Sequence, residues 1–168
     1  MAEAMSTAPD GETRAQAYQR IKVELAAVIE GETSLTARLA STACLLAHNF
    51  APRFFWTGFY MVDPEKPREL VVGPYQGTLG CLRIAFGRGV CGTVAASGET
   101  LIVPDVEAFP GHIACDSRSR SEIVVPVFAP DGTLAGVLDV DSTEADAFDE
   151  DDRAGLEAIC ALLIPARG

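Results

Sequence analysis

The chain lacks a C-x-x-C pair, lacks any apolar run near the roughly 20 residues that cross a bilayer, and is poor in bases. Each absence excludes something. Without cysteines paired at metal-ligand spacing a zinc site is a weak reading, although His112 and Cys115 are close enough in sequence to share an ion. Without a spanning run, no transmembrane helix is expected. Lys and Arg number 13 against 24 Asp and Glu, a formal charge of −11. Nucleic-acid binding rests on cationic side chains that displace counterions, and anionic membrane surfaces also select them. No nucleic-acid or membrane partner is therefore expected. The opening "MAEAMSTAPDGETR" has no basic stretch followed by an apolar one, so it does not read as a secretory signal. Residues 1–12 are expected to form a flexible tail.

What is present suits one globular domain over residues 13–168. The length is enough to bury a core without disulfide staples. Five cysteines, an odd number with no export signal, point to a reducing, cytoplasmic setting. Two amphipathic helices open the domain, at about residues 14–30 and 34–48. Tyr18, Ile21, Leu25 and Ile29 recur at helical spacing in the first, and Leu35, Leu39 and Leu45 in the second. Strands are then expected at "FFWTGFYMV" (54–62), "LVVGPYQG" (70–77), "CLRIAF" (81–86) and "TLIVPDV" (100–106), with a short helix in "GRGVCGTVAASG" (87–98). "DPEKPRE" reads as the turn between the first two. A loop of 105–121 follows. Loops beyond about 12 residues inside a compact domain are usually functional or disordered. "EIVVPVFA" (122–129) and "TLAGVLDVDS" (133–142) form a second hairpin across "PDG". A last helix over 148–164 has Asp149 as N-cap and acids in its first turn. The order predicts an α+β domain with helices packed on a mostly antiparallel sheet.

The chemistry-bearing residues cluster in the second half. Alternation along "GVLDVDS" puts Asp139 and Asp141 on one sheet face and Leu138 and Val140 on the other. Two acids on a covered face need a cationic partner; on an emerging strand they are only solvated. Glu122 is either a solvated strand end or, through the hairpin, a third member of that cluster. The glycines of "FGRGVCGT" are either a tight turn or an approach to an anion at a helix start, near which a Cys91 thiolate would be favoured. It is not a nucleotide P-loop, because the lysine and the spacing are absent. Cys44 and Cys160, among Ala and Leu on helices, read as core. Cys81, Cys91 and Cys115 fall in or beside loops, where mobile thiols can pass through a sulfenic acid to a disulfide. Trp56 and Tyr60, four apart on a strand, share a face, either as packing or as the wall of a pocket. His48 is expected at the surface. His112 either serves the loop or stabilises a Cys115 thiolate.

"GPYQG…C", "GRGVCGT", "VPDVEAFPGHIACDS", "SEIVVPV" and "GVLDVDS", in this order, resemble the free methionine-R-sulfoxide reductases, which are stand-alone GAF domains. The likeness covers about residues 54–159, and the two first helices fit it. Tyr75 stands where the family pattern has Phe, and "TLG" before Cys81 also departs from it. The resemblance implies a GAF-like, six-stranded antiparallel sheet flanked by helices, with the cysteine loop over the ligand pocket. It implies Cys115 as nucleophile and Cys81 as the main resolving thiol. Cys91 would be a pocket thiol or an alternative resolver. Glu122, Asp139 and Asp141 would be the binding carboxylates, and Trp56 and Tyr60 the wall that receives the substrate methyl group. It implies no cofactor. Free methionine sulfoxide would be the substrate and thioredoxin or a similar dithiol the reductant; a homodimer is left open. A non-catalytic ligand-binding GAF module and a thiol redox sensor remain the rival readings.

Overall fold

The periodicities lead to the expected elements, with shifted ends. The computed structural model describes residues 9–165, so residues 1–8 of the expected tail lie outside the described residues. Within the rest of that tail, Glu12 is ion-paired to Arg20 (2.8 Å). Helix α1 spans Arg14–Val28 and is opened by a capping box between Thr13 and Gln16. Helix α2 spans Leu35–Phe50, with Ser34 as N-cap. Strands β1 (Trp56–Asp63) and β2 (Lys66–Gln76) form the first hairpin. The turn between them is shorter than "DPEKPRE" suggests, because Lys66 already pairs with Asp63. Strand β3 contracts to Arg83–Ala85, which leaves Cys81 and Leu82 in the loop before it. Helix α3 (Gly89–Ser97) and strand β4 (Leu101–Val103) follow. The long loop carries one turn of 3-10 helix, Val106–Ala108. Strands β5 (Ser121–Phe128) and β6 (Leu134–Ser142) make the second hairpin. Helix α4 spans Glu150–Cys160, capped by Asp149 as expected.

The six strands form one antiparallel sheet in the order β3-β2-β1-β6-β5-β4. Strands β1 and β6 are central, and both faces of the sheet are covered. That explains why "EIVVPVFA" is apolar on both sides. On one face Phe59, Ile123, Val125, Leu138 and Val140 pack against α1, α2 and α4 in the main core. On the other, Trp56, Tyr60, Val124 and Val137 pack beneath α3 and the loop that precedes β5. Two-residue alternation thus sends Asp139 and Asp141 under α3 and the long loop, away from the main core. Among the described residues no helix is long and apolar enough to cross a membrane.

Candidate active site

The site is built by register. Trp56 pairs with Asp141, and Asp141 with Glu122, so three strands carry these side chains in one row. In the next row Gly58 pairs with Asp139, and Asp139 with Val124. Tyr60 follows on β1. The hairpin therefore does join Glu122 to the two aspartates, and Glu122 is not a solvated strand end: it is 5% exposed, and Asp139 6%. Gly58 has a steric reason. A Cβ there would run into the side chains of Tyr75 and Trp56. Trp56 is stacked on Tyr60 (centroids 5.7 Å apart) and on Tyr75 (5.1 Å), and its indole Nε1 donates to the Thr78 carbonyl (2.8 Å). The aromatic wall is thereby fixed in orientation before any ligand arrives.

Over this floor lies a cavity of about 40 Å³, roofed by α3 and by residues of the long loop, among them His112, Ile113 and Cys115. Cys115 and Cys81, 34 positions apart in sequence, are joined by a disulfide with Cα atoms 5.5 Å apart. Cys115 is exposed and Cys81 half-buried. Asp116 anchors the loop. It accepts from the Thr78 hydroxyl (2.8 Å), from the Arg118 amide (2.9 Å) and from the Arg118 guanidinium (2.8 Å). The Arg118 hydrogen bond, first of these, holds the Asp116 carboxyl well below its usual range. This residue did not stand out in the sequence. An Asp two positions before the amide that it caps was its only signal.

Two further expectations are corrected, the favoured Cys91 thiolate and the core placement of Cys44. Cys91 does lie in the first turn of α3, but burial and the neighbouring Asp139, Glu122 and Asp141 push its thiol well up. It is a protonated thiol near neutral pH, and a helix start does not overcome that. His112 Nε2 lies 3.4 Å from Glu122 Oε2, and burial lowers its pKa. Cys44 is exposed on α2 and is not core, whereas Cys160 is buried and His48 exposed, as expected.

The acids are the electrostatic centre. Burial, and then repulsion from Asp141, raises Glu122 well above the ordinary carboxylate range. Burial, and then the charge of Glu122, raises Asp139. Asp141 is raised by burial and by Asp139, with a Ser119 hydrogen bond working against the shift. The cluster therefore retains protons that isolated carboxylates lose. Asp139 Oδ1 is buried without a hydrogen-bond partner. At the roof, Arg88 gives α3 no side-chain cap, and Gly92 N–H bonds the Arg88 carbonyl (3.0 Å). Gly89, Val90 and Cys91 of this first turn line the cavity. Such a site offers proton donors and cation acceptors on its floor, amide donors above, and redox-active sulfur at its mouth.

The profile of the GAF domain family matches residues 16–164. Over 151 residues the chain is 47% identical to GAF domain-containing protein A of Dictyostelium discoideum, spanning 90% of this chain and 92% of that protein. It is 42% identical over 146 residues to the free methionine-R-sulfoxide reductase of Escherichia coli, spanning 87% of this chain and 86% of the relative. The crystal structure of the free methionine-R-sulfoxide reductase from Neisseria meningitidis, in complex with its substrate, superposes with a TM-score of 0.88 at 45% identity. That match covers 95% of this chain and 93% of the other.

Proposed function

We propose a function from one premise: the chain belongs to the GAF domain family and, within it, to the free methionine-R-sulfoxide reductases. It reduces free L-methionine-(R)-S-oxide to L-methionine by thiol, sulfenic acid and disulfide chemistry. The observation that carries this reading is the Cys81–Cys115 disulfide at the mouth of a cavity floored by three carboxyls, two buried and one half-buried, each raised by burial and by another of the three.

Cys115 is the nucleophile. Its sulfur attacks the sulfoxide sulfur while Glu122 or Asp141 gives a proton to the sulfoxide oxygen. Methionine leaves, and Cys115 keeps the oxygen as a sulfenic acid. The Cys81 thiol then displaces that oxygen as water and forms the disulfide. Cys91 is a pocket thiol, since its raised pKa and full burial suit it poorly to attack. An external dithiol, thioredoxin or a similar protein, returns two electrons and two protons to the pair. The exposure of Cys115, and of Leu79 (82%) and Leu82 (74%) beside Cys81, supports a protein reductant that must reach this sulfur.

The substrate explains the rest of the lining. The acids take the ammonium, the first-turn α3 amides take the carboxylate, and Trp56 and Tyr60 receive the methyl group. A methionine inside a peptide lacks both backbone charges and forfeits these contacts, so the free amino acid is preferred. The test is methionine release from free R-sulfoxide, free S-sulfoxide and a peptide-bound sulfoxide, with dithiothreitol as reductant. Turnover of the free R form alone is expected. No turnover of any form by folded, reduced protein would overturn the reading and favour a peroxide-responsive thiol sensor.

A further inference from the structure

Cys91 has no step in the chemistry above, yet its surroundings are unusual. One ligand-capable atom from each of Cys91, Glu122 and Asp139 lies within 4.8 Å of the other two, and all three residues are buried. Asp139 adds a second observation: its carboxyl is hydrogen-bonded with Cys91 and Glu122, yet its Oδ1 is buried and has no partner. An acceptor left unsatisfied in the interior is costly, so a positively charged occupant has something to gain there. The three residues come from two elements, α3 and the β5–β6 hairpin, and converge on one cavity.

We infer that Cys91, Glu122 and Asp139 form a binding site for a borderline-soft divalent ion of the Zn²⁺ type. Thiolate with carboxylate suits zinc, at about 2.3 Å to sulfur and 2.0–2.2 Å to oxygen, and it disfavours Mg²⁺ and Ca²⁺, which take oxygen ligands only. Three protein ligands leave the fourth position to water. On binding, the Cys91 thiol gives its proton to solvent, and the positive ion takes the place of the protons that otherwise neutralise the two acids. The site uses two of the carboxyls that the proposed function assigns to the substrate ammonium. Ion and substrate therefore exclude one another, a corollary that rests on that reading, whereas the ion site itself does not.

The disulfide makes a clean test. In the oxidised chain Cys81 and Cys115 are withdrawn as ligands, which leaves Cys44, Cys91 and Cys160 as free thiols. The oxidised full chain is dialysed to equilibrium against zinc chloride, and in parallel against Co²⁺, whose sulfur-to-metal charge-transfer band reports a bound thiolate. One ion per chain and the band are expected. Cys91→Ser is expected to abolish the band, and Cys91→Ser and Asp139→Asn each to weaken uptake at least about tenfold. Circular dichroism confirms that each variant is folded, and Cys44→Ser is expected to bind as the parent does. Free methionine-R-sulfoxide is expected to displace Co²⁺ and bleach the band. No uptake by the oxidised chain, or uptake that survives Cys91→Ser, would overturn the site. A chain that binds the ion through Cys91 but reduces no sulfoxide would overturn the enzymatic reading alone.

Discussion

Glu122 shows what a single residue's surroundings can do. Its carboxyl is buried beside Asp139 and Asp141, and its pKa lies well above the ordinary range. In the unfolded chain the same group ionises near pH 4. The native state therefore holds more protons than the unfolded one above that pH, and this group's contribution to stability falls as pH rises. Glu122→Gln keeps the shape and removes the titration. The variant is expected to be more stable than the parent by about 1 kcal/mol at pH 8, with the gain vanishing towards pH 4, when unfolding is followed in urea. Its kcat/KM for the free sulfoxide is expected to fall at least about tenfold, because a charge-assisted contact is worth roughly 1.5–3 kcal/mol. A variant both less stable at pH 8 and fully active would contradict the role given to the cluster. Alternation alone made Asp139 and Asp141 legible as a pair. It could not tell a solvated pair from a buried one, because that depends on α3 and the long loop arriving from elsewhere in the chain. The same limit misplaced Cys44: composition around it is apolar, but its turn of α2 faces solvent.

At the scale of elements, the hairpins and helices were read correctly because their periods are strong, and their ends were not. "CLRIAF" is apolar enough for a strand, but only Arg83–Ala85 lies in register with β2, opposite Glu69, Leu70 and Val71, with one backbone bond each at Leu82 and Phe86. The shortening matters for chemistry. It keeps Cys81 on a loop, with a sulfur that can reach Cys115 and then a reductant. It also leaves Leu82, next to Cys81, 74% exposed. An apolar side chain beside an accessible disulfide suits the rim of a docking protein. Leu82→Ser is expected to slow turnover about tenfold with limiting thioredoxin and to leave turnover with dithiothreitol unchanged. Equal slowing with both reductants would assign Leu82 a structural role instead.

The whole molecule is tied together at a point that the sequence disguised. Acids in the first turn of α4 suit the helix dipole, and Asp152 reads as one of them. The structure buries it completely. It accepts from Tyr18 (2.7 Å) and Arg14 (2.9 Å) of α1, and from both terminal nitrogens of Arg53 (3.0 Å each) just ahead of β1. Helix–helix and helix–sheet contacts are thus joined through one carboxylate. Only three-dimensional convergence reveals this, since its partners lie 99 to 138 positions away. Asp152→Ala would strand buried donors and is expected to cost about 3–5 kcal/mol, lowering Tm by about 10 °C. The cavity is on the opposite face of the sheet, so kcat at a temperature below the melt is expected to stay near the parent's. Loss of activity without loss of stability would contradict that separation of frame and site.

The central claim is the division of labour between Cys115 and Cys81. It is tested most directly by single turnover in the reduced Cys81→Ser variant, given excess free methionine-R-sulfoxide and no reductant, with methionine quantified and the protein weighed by mass spectrometry. One methionine per chain is expected, with one oxygen atom added to the protein and localised to Cys115. No methionine, or an oxygen found on Cys91, would contradict it.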